Sequence, residues 1–423
     1  MKKGLLLLLA FAITATVTNA QGEPDGLKRE DGFFWKYDDA SKTATVVSSY
    51  RWHWHGDQQA MGNCHCYRDD VVIPEKAPNG YTVTAIGEGA FNECDSLKSV
   101  KLPSTLKTID SWSFQMCTEL KEIRIPASVE VLGEACLGAS GIERCYIEDS
   151  SSPISIWDGG FVYGSLFMGI PGLKYVYVGR DFTVRNLSAE ETGGPMGLFY
   201  QTTVEDVEFG PKVTRLHTGE FFQALNVKNV DLRDVTEIPD QCFEECSTLI
   251  SVVINKEKLT AIGNYAFHQA YAIGINLNLS IFTNLKTIGE GAFMEANIMS
   301  ATIPASVESV GENSFSFNPS MSNPSMRSLT CMAVVPPTTT SWGPVSEDMY
   351  KTCKLYVPEG CTDAYKGATG WKNFFSVETG IGSIKSGIAS PDNSAYDLQG
   401  RRQTGQPRSK GLYIVGGKKM LAK

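Results

Sequence analysis

The sequence predicts a β-rich solenoid, one coil of about ten short rungs rather than a set of globular lobes. Residues 86–131 carry the first observation. They read IGEGAFNECDSLKSVKLPSTLKT and then IDSWSFQMCTELKEIRIPASVEV, two copies of equal length. Each copy places an aromatic residue, a Cys three residues later, and then L-x-x-φ-x-φ-P, where φ is apolar. The second observation is that the strand signature recurs from Leu97, Leu120, Ile142, Leu173, Val204, Val227, Leu249, Ala272, Ile298 and Met326, at near-constant spacing. A fixed period of roughly 20–30 residues marks units that bury their apolar face only against their neighbours.

Composition agrees with a packed coil. Of 423 residues, 42% are apolar and 20% charged, too apolar and too weakly charged for disorder. The net charge is −9. Residues 379–423 are basic, so the body before them is strongly acidic, which argues against nucleic acid and anionic membrane surfaces as partners.

Residues 1–20 read as a secretory signal peptide. Lys2 and Lys3 precede the apolar run Leu5 to Ile13, and Thr18 and Ala20 stand at the small-residue cleavage positions before Gln21. Residues 21–80 read as an N-terminal β cap. In it Phe33 to Tyr37 and Thr43 to Val47 form a hairpin across the turn residues Asp38 to Ser41, and Val71-Val72-Ile73-Pro74 is the first rung. A cap protects the open edge of a solenoid.

The array proper is expected over 81–335. Its aromatic half recurs as Phe91, Phe114, Phe161, Phe199, Phe221, Phe243, Phe267, Phe293 and Phe315, with Leu137 the exception. Gly87, Gly133, Gly263, Gly289 and Gly311 follow the first apolar residue, where a tight turn is expected to need positive φ. The two longest units, Ile142 to Leu173 and Leu173 to Val204, carry Gly- and Pro-rich inserts near 162–171 and 180–195. Pro336-Pro337 ends the array. Residues 336–378 read as a C-terminal cap, with a last strand at Lys354 to Pro358, a short helix or turn up to Trp371, and Phe374-Phe375 closing the core. Residues 379–395 read as a linker, and 396–423 as a basic tail with a hairpin turning at Gly416-Gly417.

Eleven cysteines in an exported chain would ordinarily suggest disulfides. The repeat frame predicts otherwise. Cys94, Cys117 and Cys246 share one repeat position, Cys136 and Cys242 replace the alanines Ala90, Ala266 and Ala292, and Cys145 and Cys331 fall on strand core positions. All read as small buried hydrophobes. Cys353 and Cys361 are free to pair, though nothing in their spacing demands it, and Cys64 and Cys66 read as surface thiols or as pairing elsewhere.

The unit IGEGAFNECDSLKSVKLPSTL resembles the BspA-like class of bacterial leucine-rich repeats, found on exported surface proteins of host-associated bacteria. The likeness covers about 81–335, and LYVPEGCTDAYKGATGWKNFF looks like the end cap that follows such arrays. It implies a leucine-rich-repeat solenoid and adhesion to host matrix proteins or other cells. The tail is similar to the YDLQGR…GLYIV…KK endings of many proteins exported by gut and oral anaerobes. Similar endings on larger domains act as type IX sorting signals; this one is shorter than a full sorting domain.

Signs of catalysis are absent from the sequence. It contains no H-E-x-x-H, G-x-S-x-G, P-loop or EF-hand pattern, and only five histidines. No cofactor is expected. His217 and His268 sit singly in repeats and read as surface or turn residues. The one cluster of metal-ligand types is His53, His55, Cys64, His65 and Cys66, which matches no zinc spacing and reads equally as a solvated aromatic face.

A surface is the better candidate. In φ-x-x-φ-x-φ the residues before each of the last two apolar positions point outward together. These pairs run Ser99/Lys101, Glu122/Arg124, Arg144/Tyr146, Tyr175/Tyr177, Asp206/Glu208, Asn229/Asp231, Ser251/Val253, Gly274/Asn276, Ser300/Thr302 and Ser328/Thr330. The face thus passes from basic through three tyrosines to acidic. A binding patch is expected at Arg144, Tyr146, Tyr175 and Tyr177, since Tyr and Arg anchor interfaces; the alternative is that the inserts cover these rings as a satellite core. The expected function is that of an exported, monomeric, non-catalytic binding protein of the cell surface or medium, with the periplasm left open. Its partner would be a host matrix or cell-surface protein. A glycan-binding component of a nutrient uptake system and a structural scaffold are the alternatives.

Overall fold

A computed structural model describes residues 28–48, 69–158, 166–186 except 168, 197–274, 276–317, 326–381 and four short stretches at 395–398, 402–403, 411–415 and 418–422. The chain winds as a β-solenoid with two strand-bearing sides. Here the side made by the L-x-x-φ-x-φ strands is called the front face. Its parallel strands Glu122–Ile125, Arg144–Ile147, Tyr175–Val178, Asp206–Phe209, Asn229–Asp231 and Ser251–Asn255 lie in register, one rung per neighbour. It begins with Asp70–Val72 paired to Ser99–Lys101, as expected of a first rung. It resumes as Asn276–Asn278, Ser300–Ile303 and Ser328–Cys331. The second face includes the strands Thr108–Ile109, Val131–Leu132 and Ile154–Asp158.

Between the faces, each rung turns around its aromatic residue. Successive phenylalanine rings stack nearly parallel. Phe199–Phe221, Phe221–Phe243, Phe243–Phe267 and Phe267–Phe293 have centroids 4.7, 4.9, 5.1 and 5.1 Å apart. The turn backbone is hydrogen-bonded rung to rung as well: Phe243 N–H donates to Ala266 O at 2.8 Å and Phe267 N–H to Ala292 O at 2.7 Å. All these rings are buried, in one continuous core running from Phe33 to Leu398.

Holding the turn in that shape requires left-handed backbone. Two residues before the ring, Trp112, Gln241 and Tyr265 have positive φ, as does Ala135 before Leu137; two residues after it, Glu93, Met116, Gln223, Glu245, Gln269 and Glu295 do. Each such non-glycine residue costs about 1–2 kcal/mol, against about 1.5–3 kcal/mol for burying each Phe plus about 0.5–1.5 kcal/mol for each ring pair. With two such residues in most turns the two sides nearly balance, and rung-to-rung hydrogen bonds such as Glu245 N–H to His268 O at 2.8 Å hold the strained turn in place.

Several expectations need correction. Gly87, Gly133, Gly263, Gly289 and Gly311 do not have positive φ. At Gly133, Gly263, Gly289 and Gly311 the rungs stack too closely for a side chain, and at Gly87 the fit against Val46 is tight. A Cβ on Gly133, Gly289 or Gly311 would overlap the backbone of the preceding rung, at Ser111, Gly263 and Glu290 respectively. The ring stacked on Phe199 is Phe167, at 5.6 Å; Phe161 lies outside the described residues. Leu166, Phe167, Ile170 and Leu173 are buried, and Phe182–Asn186 pairs with Ile154–Asp158 as a regular strand. That leaves 159–165 and 187–196, both outside the described residues, as the extra length of the two long units. Arg180, expected in an insert, is 1% exposed and donates to Pro126 O and Ala127 O at 3.1 and 3.0 Å.

At the N-terminal end, Lys28–Glu30, Phe33–Asp38 and Thr43–Val47 form an antiparallel meander whose last strand joins Thr82–Ile86 in parallel. The coil does not stop at Val335. Lys354–Pro358 and Ser376–Ile381 continue the front sheet in parallel, the latter overlapping the expected linker. Between them the helix Thr362–Gly367 buries Tyr365, and Trp371 and Phe374 fill the core end, whereas Phe375 is 76% exposed. In the tail, Gly411–Val415 pairs antiparallel with Lys418–Ala422, while Gly416 and Gly417 lie outside the described residues.

Cysteine chemistry is mixed. Eight described cysteines are free and buried, including Cys353 and Cys361. Cys94, expected as a free thiol, is disulfide-bonded. Burial pushes the Cys117 thiol up to about 12, and its Sγ lies 3.1 Å from Phe91 O.

Truncating Phe243 to Ala should cost about 3–5 kcal/mol in chemical denaturation, and Phe243→Leu distinctly less, since Leu137 already serves in the same ladder. At the exposed, left-handed Met116, Met116→Gly should be more stable than Met116→Ala by about 1 kcal/mol, the reverse of their order in ordinary backbone.

Candidate binding face

The front face is a grid, because parallel strands in register bring equivalent side chains together. Its first outward column runs Glu122, Arg144, Tyr175, Asp206, Asn229; the second runs Arg124, Tyr146, Tyr177, Glu208, Asp231. The predicted residues Arg144, Tyr146, Tyr175 and Tyr177 are therefore four adjacent points on two neighbouring rungs. All four are half-buried.

Their contacts are specific. The Arg124 guanidinium lies 4.0 Å from the centre of the Tyr146 ring, and that of Arg144 lies 5.8 Å from the Tyr175 ring. Tyr146 and Tyr175 meet at 5.6 Å with a 51° tilt. The Tyr175 hydroxyl donates to Glu208 Oε2 at 2.8 Å and the Tyr177 hydroxyl to Asp149 Oδ1 at 2.7 Å. Burial, then the Asp149 carboxylate, drives the Tyr177 phenol well above its usual range. Carboxylates of the array itself thus hold both hydroxyls.

Beside the patch lies a file of cross-rung ion pairs: Lys98 to Asp69, Lys174 to Glu143 and Lys228 to Glu205, at 2.8, 2.6 and 2.6 Å. All are solvent-exposed and contribute about 0–1 kcal/mol each. Beyond the tyrosines the face turns acidic. Burial pushes Asp231 up to about 6, against the pull of Arg233 Nε at 2.8 Å.

Three readings change here. Ser251 does not point to solvent; it is 6% exposed. The rung expected to start at Ala272 is shifted, with Leu277 and Leu279 buried and Asn276 and Asn278 outward, in register with Ser300 and Thr302. His217 and His268 do sit in turns, but each ring nitrogen meets a carboxylate, Glu220 Oε2 at 3.2 Å and Glu244 Oε1 at 2.9 Å. His53, His55, Cys64, His65 and Cys66 lie outside the described residues. Among the described residues no group of three or more His, Cys, Asp or Glu is placed to hold a metal ion. No described helix is long and apolar enough to cross a membrane.

The raised carboxyl of Asp231 gives a pH dependence of definite sign. A folded pKa above the unfolded value of about 3.9 means that the folded form holds the proton more tightly. This stabilising contribution is complete below about pH 4 and is lost as the pH rises to about 6. Across that window Asp231→Asn should therefore gain stability relative to the parent chain, as read from denaturation midpoints at pH 4 and 7.

Solved structures similar to this chain are bacterial repeat proteins. The pneumococcal vaccine antigen PcpA is 15% identical, over 84% of this chain and 98% of its own, with a TM-score of 0.36. A leucine-rich repeat protein of T. pallidum is 17% identical over 57% and 88%, with a TM-score of 0.31. One from Bacteroides ovatus is 17% identical over 72% and 94%, with a TM-score of 0.28. No curated protein sequence matches. The family model described as BspA type leucine rich repeat region matches in six copies over residues 65–158 and 195–322, just over half of the chain. The chain belongs to the BspA-type leucine-rich-repeat family.

Proposed function

We propose that this is an exported, non-catalytic surface protein that binds a protein partner through the front face, centred on Arg144, Tyr146, Tyr175 and Tyr177. One observation carries the reading: Arg124, Arg144, Tyr146 and Tyr175 are locked together on adjacent rungs, with Tyr177 beside Tyr146 in the register, while their outer surfaces stay at least half open. Side chains already fixed by neighbours lose little freedom on binding, so contact area converts more fully into affinity. Aromatic and Arg anchors are the residues that dominate interfaces. The acidic columns at Asp206, Glu208 and Asp231 on one side favour a partner with basic groups facing them. Family membership supports a surface-protein reading, and the apolar run at Leu5 to Ile13 supports export. Adhesion to a host matrix or cell-surface protein is the specific form proposed.

The test is a screen of the mature chain against arrays of extracellular-matrix proteins and of glycans, repeated with Tyr146→Ala/Tyr175→Ala. A matrix-protein hit that weakens at least tenfold in the double variant, whose folding is checked by its melting curve, is the expected result. A hit left undiminished removes the patch, and hits confined to glycans replace the protein partner with a carbohydrate.

A further inference from the structure

The front sheet has a seam. Among the described residues every front rung from Glu122 to Asn255 pairs with the next, but Ser99–Lys101 does not pair with Glu122–Ile125, nor Ser251–Asn255 with Asn276–Asn278. On the far side of the coil the same two rungs remain joined, Glu237–Ile238 to Ala261–Ile262, and their rings Phe243 and Phe267 stay stacked at 5.1 Å. The two rungs are therefore splayed on one face only. The cause is legible in the chain: Ile254 to Leu259 and Ile273 to Leu277 are each one residue longer than Leu102 to Leu106 and Leu97 to Val100. Gly274, at φ 111°, takes up part of the excess.

The seam is filled from the other end of the protein. Ala395–Asp397 pairs antiparallel with Ser251–Asn255 in the register Val253↔Asp397, Ile254↔Tyr396, Asn255↔Ala395. It folds back on Arg402–Gln403 as a small hairpin. Across the seam, Asn278 N–H donates to Leu398 O at 3.0 Å. Leu398 and Asp397 are 0% exposed, and Leu398 belongs to the main core although residues 382–394, outside the described residues, separate it in sequence from the last front-face strand. This strand is antiparallel where every other described partner of a front-face rung is parallel, and it does not continue the repeat.

We propose that the seam is a strand-acceptor site, that its ligand is an extended peptide of the order small–aromatic–Asp–Leu, and that the chain's own residues 395–398 are that ligand, docked in an exchangeable way. The recognition is a β-strand addition: backbone hydrogen bonds along 253–255 supply affinity, and the pocket for Leu398 supplies specificity. Docking anchors the start of the basic tail on the front sheet. Withdrawing it opens a peptide site on the same face as the tyrosines. The inference rests on the seam alone and does not depend on what the tyrosines bind.

The test uses the full-length chain and a fluorescein-labelled peptide spanning residues 395–403. In the parent chain the site is occupied; in Leu398→Asp the tail's own leucine no longer fills it. Fluorescence anisotropy should show the peptide binding Leu398→Asp at least tenfold more tightly than the parent chain, and a peptide carrying Asp in place of that leucine should bind neither. Equal binding to both chains, or equal binding of both peptides, overturns the proposal. Should Leu398→Asp fail to fold, a full-length chain with a protease site placed within 382–394 gives a second readout. After cleavage, fragment 395–423 should co-elute with the body on gel filtration and be displaced by excess peptide. A fragment that separates on cleavage overturns the proposal, as does one that excess peptide never displaces.

Discussion

A single distance governs this molecule: the separation of about 4.7–4.9 Å between hydrogen-bonded strands. Backbone amides on the front face, on the second face and in the turns all bridge that gap. Rings stacked at 4.7 to 5.1 Å fit it without adjustment, which is why one aromatic per rung suffices to build a core. The same distance forbids a side chain at Gly133, Gly263, Gly289 and Gly311, where the backbone of one rung rests on that of the rung before. It also forces left-handed backbone on residues such as Gln241 and Glu245. Their local preference is overruled because relaxing one turn would pull its ring out of the stack.

Stacking at fixed spacing also sets the rules for polar residues. Each side chain sits against its own repeat equivalents, so like charges in one column repel and complementary ones pair. The Lys–Glu and Lys–Asp pairs beside the front face follow that rule. So does the turn ladder in which Gln201 donates to Gln223 and Gln223 to Glu245, with Gln269 donating to Glu295. Glu208 and Asp231 break it, two acids on adjacent rungs in one column. Burial first, and then this clash, raise the Asp231 carboxyl. The tyrosines obey the rule in another way: each ring has an arginine or a carboxylate as its neighbour, so the patch is ordered before any partner arrives.

The period is legible because it depends on apolar residues whose spacing the coil cannot vary. That is why the rungs from Leu97 to Leu249, and the adjacent positions of Arg144, Tyr146, Tyr175 and Tyr177 on the front face, emerge from the sequence in the right register. What fails to emerge has physical reasons. Phe161 and Phe167 are both aromatic within one long unit, and only the three-residue step to Ile170 and six-residue step to Leu173 would choose Phe167. The glycine positions are readable, but close approach and positive φ demand the same residue, so the cause is not. Left-handed Met116 and Gln223 carry no local signal at all, since the neighbouring rungs impose their conformation. The disulfide at Cys94 is hidden because Cys117 and Cys246, at the same repeat position, are free.

A strictly periodic coil offers a partner strand only its two ends, since every internal rung already has both edges satisfied. An internal vacancy requires the period to fail on one face while holding on the other, and one-residue excesses on two consecutive rungs achieve that. A larger insertion would loop out and leave the sheet closed; a smaller one does not exist. The opened edge at Val253 to Asn255 then carries backbone groups that are expensive to leave unpaired in a buried setting. Any strand filling the wedge is free of the repeat's direction, because it need not pass on to a next rung. That freedom explains why an antiparallel segment from the far end of the chain fits where the repeat itself does not. The irregularity in the spacing is thus a place where this array has room, inside its length, for something other than itself.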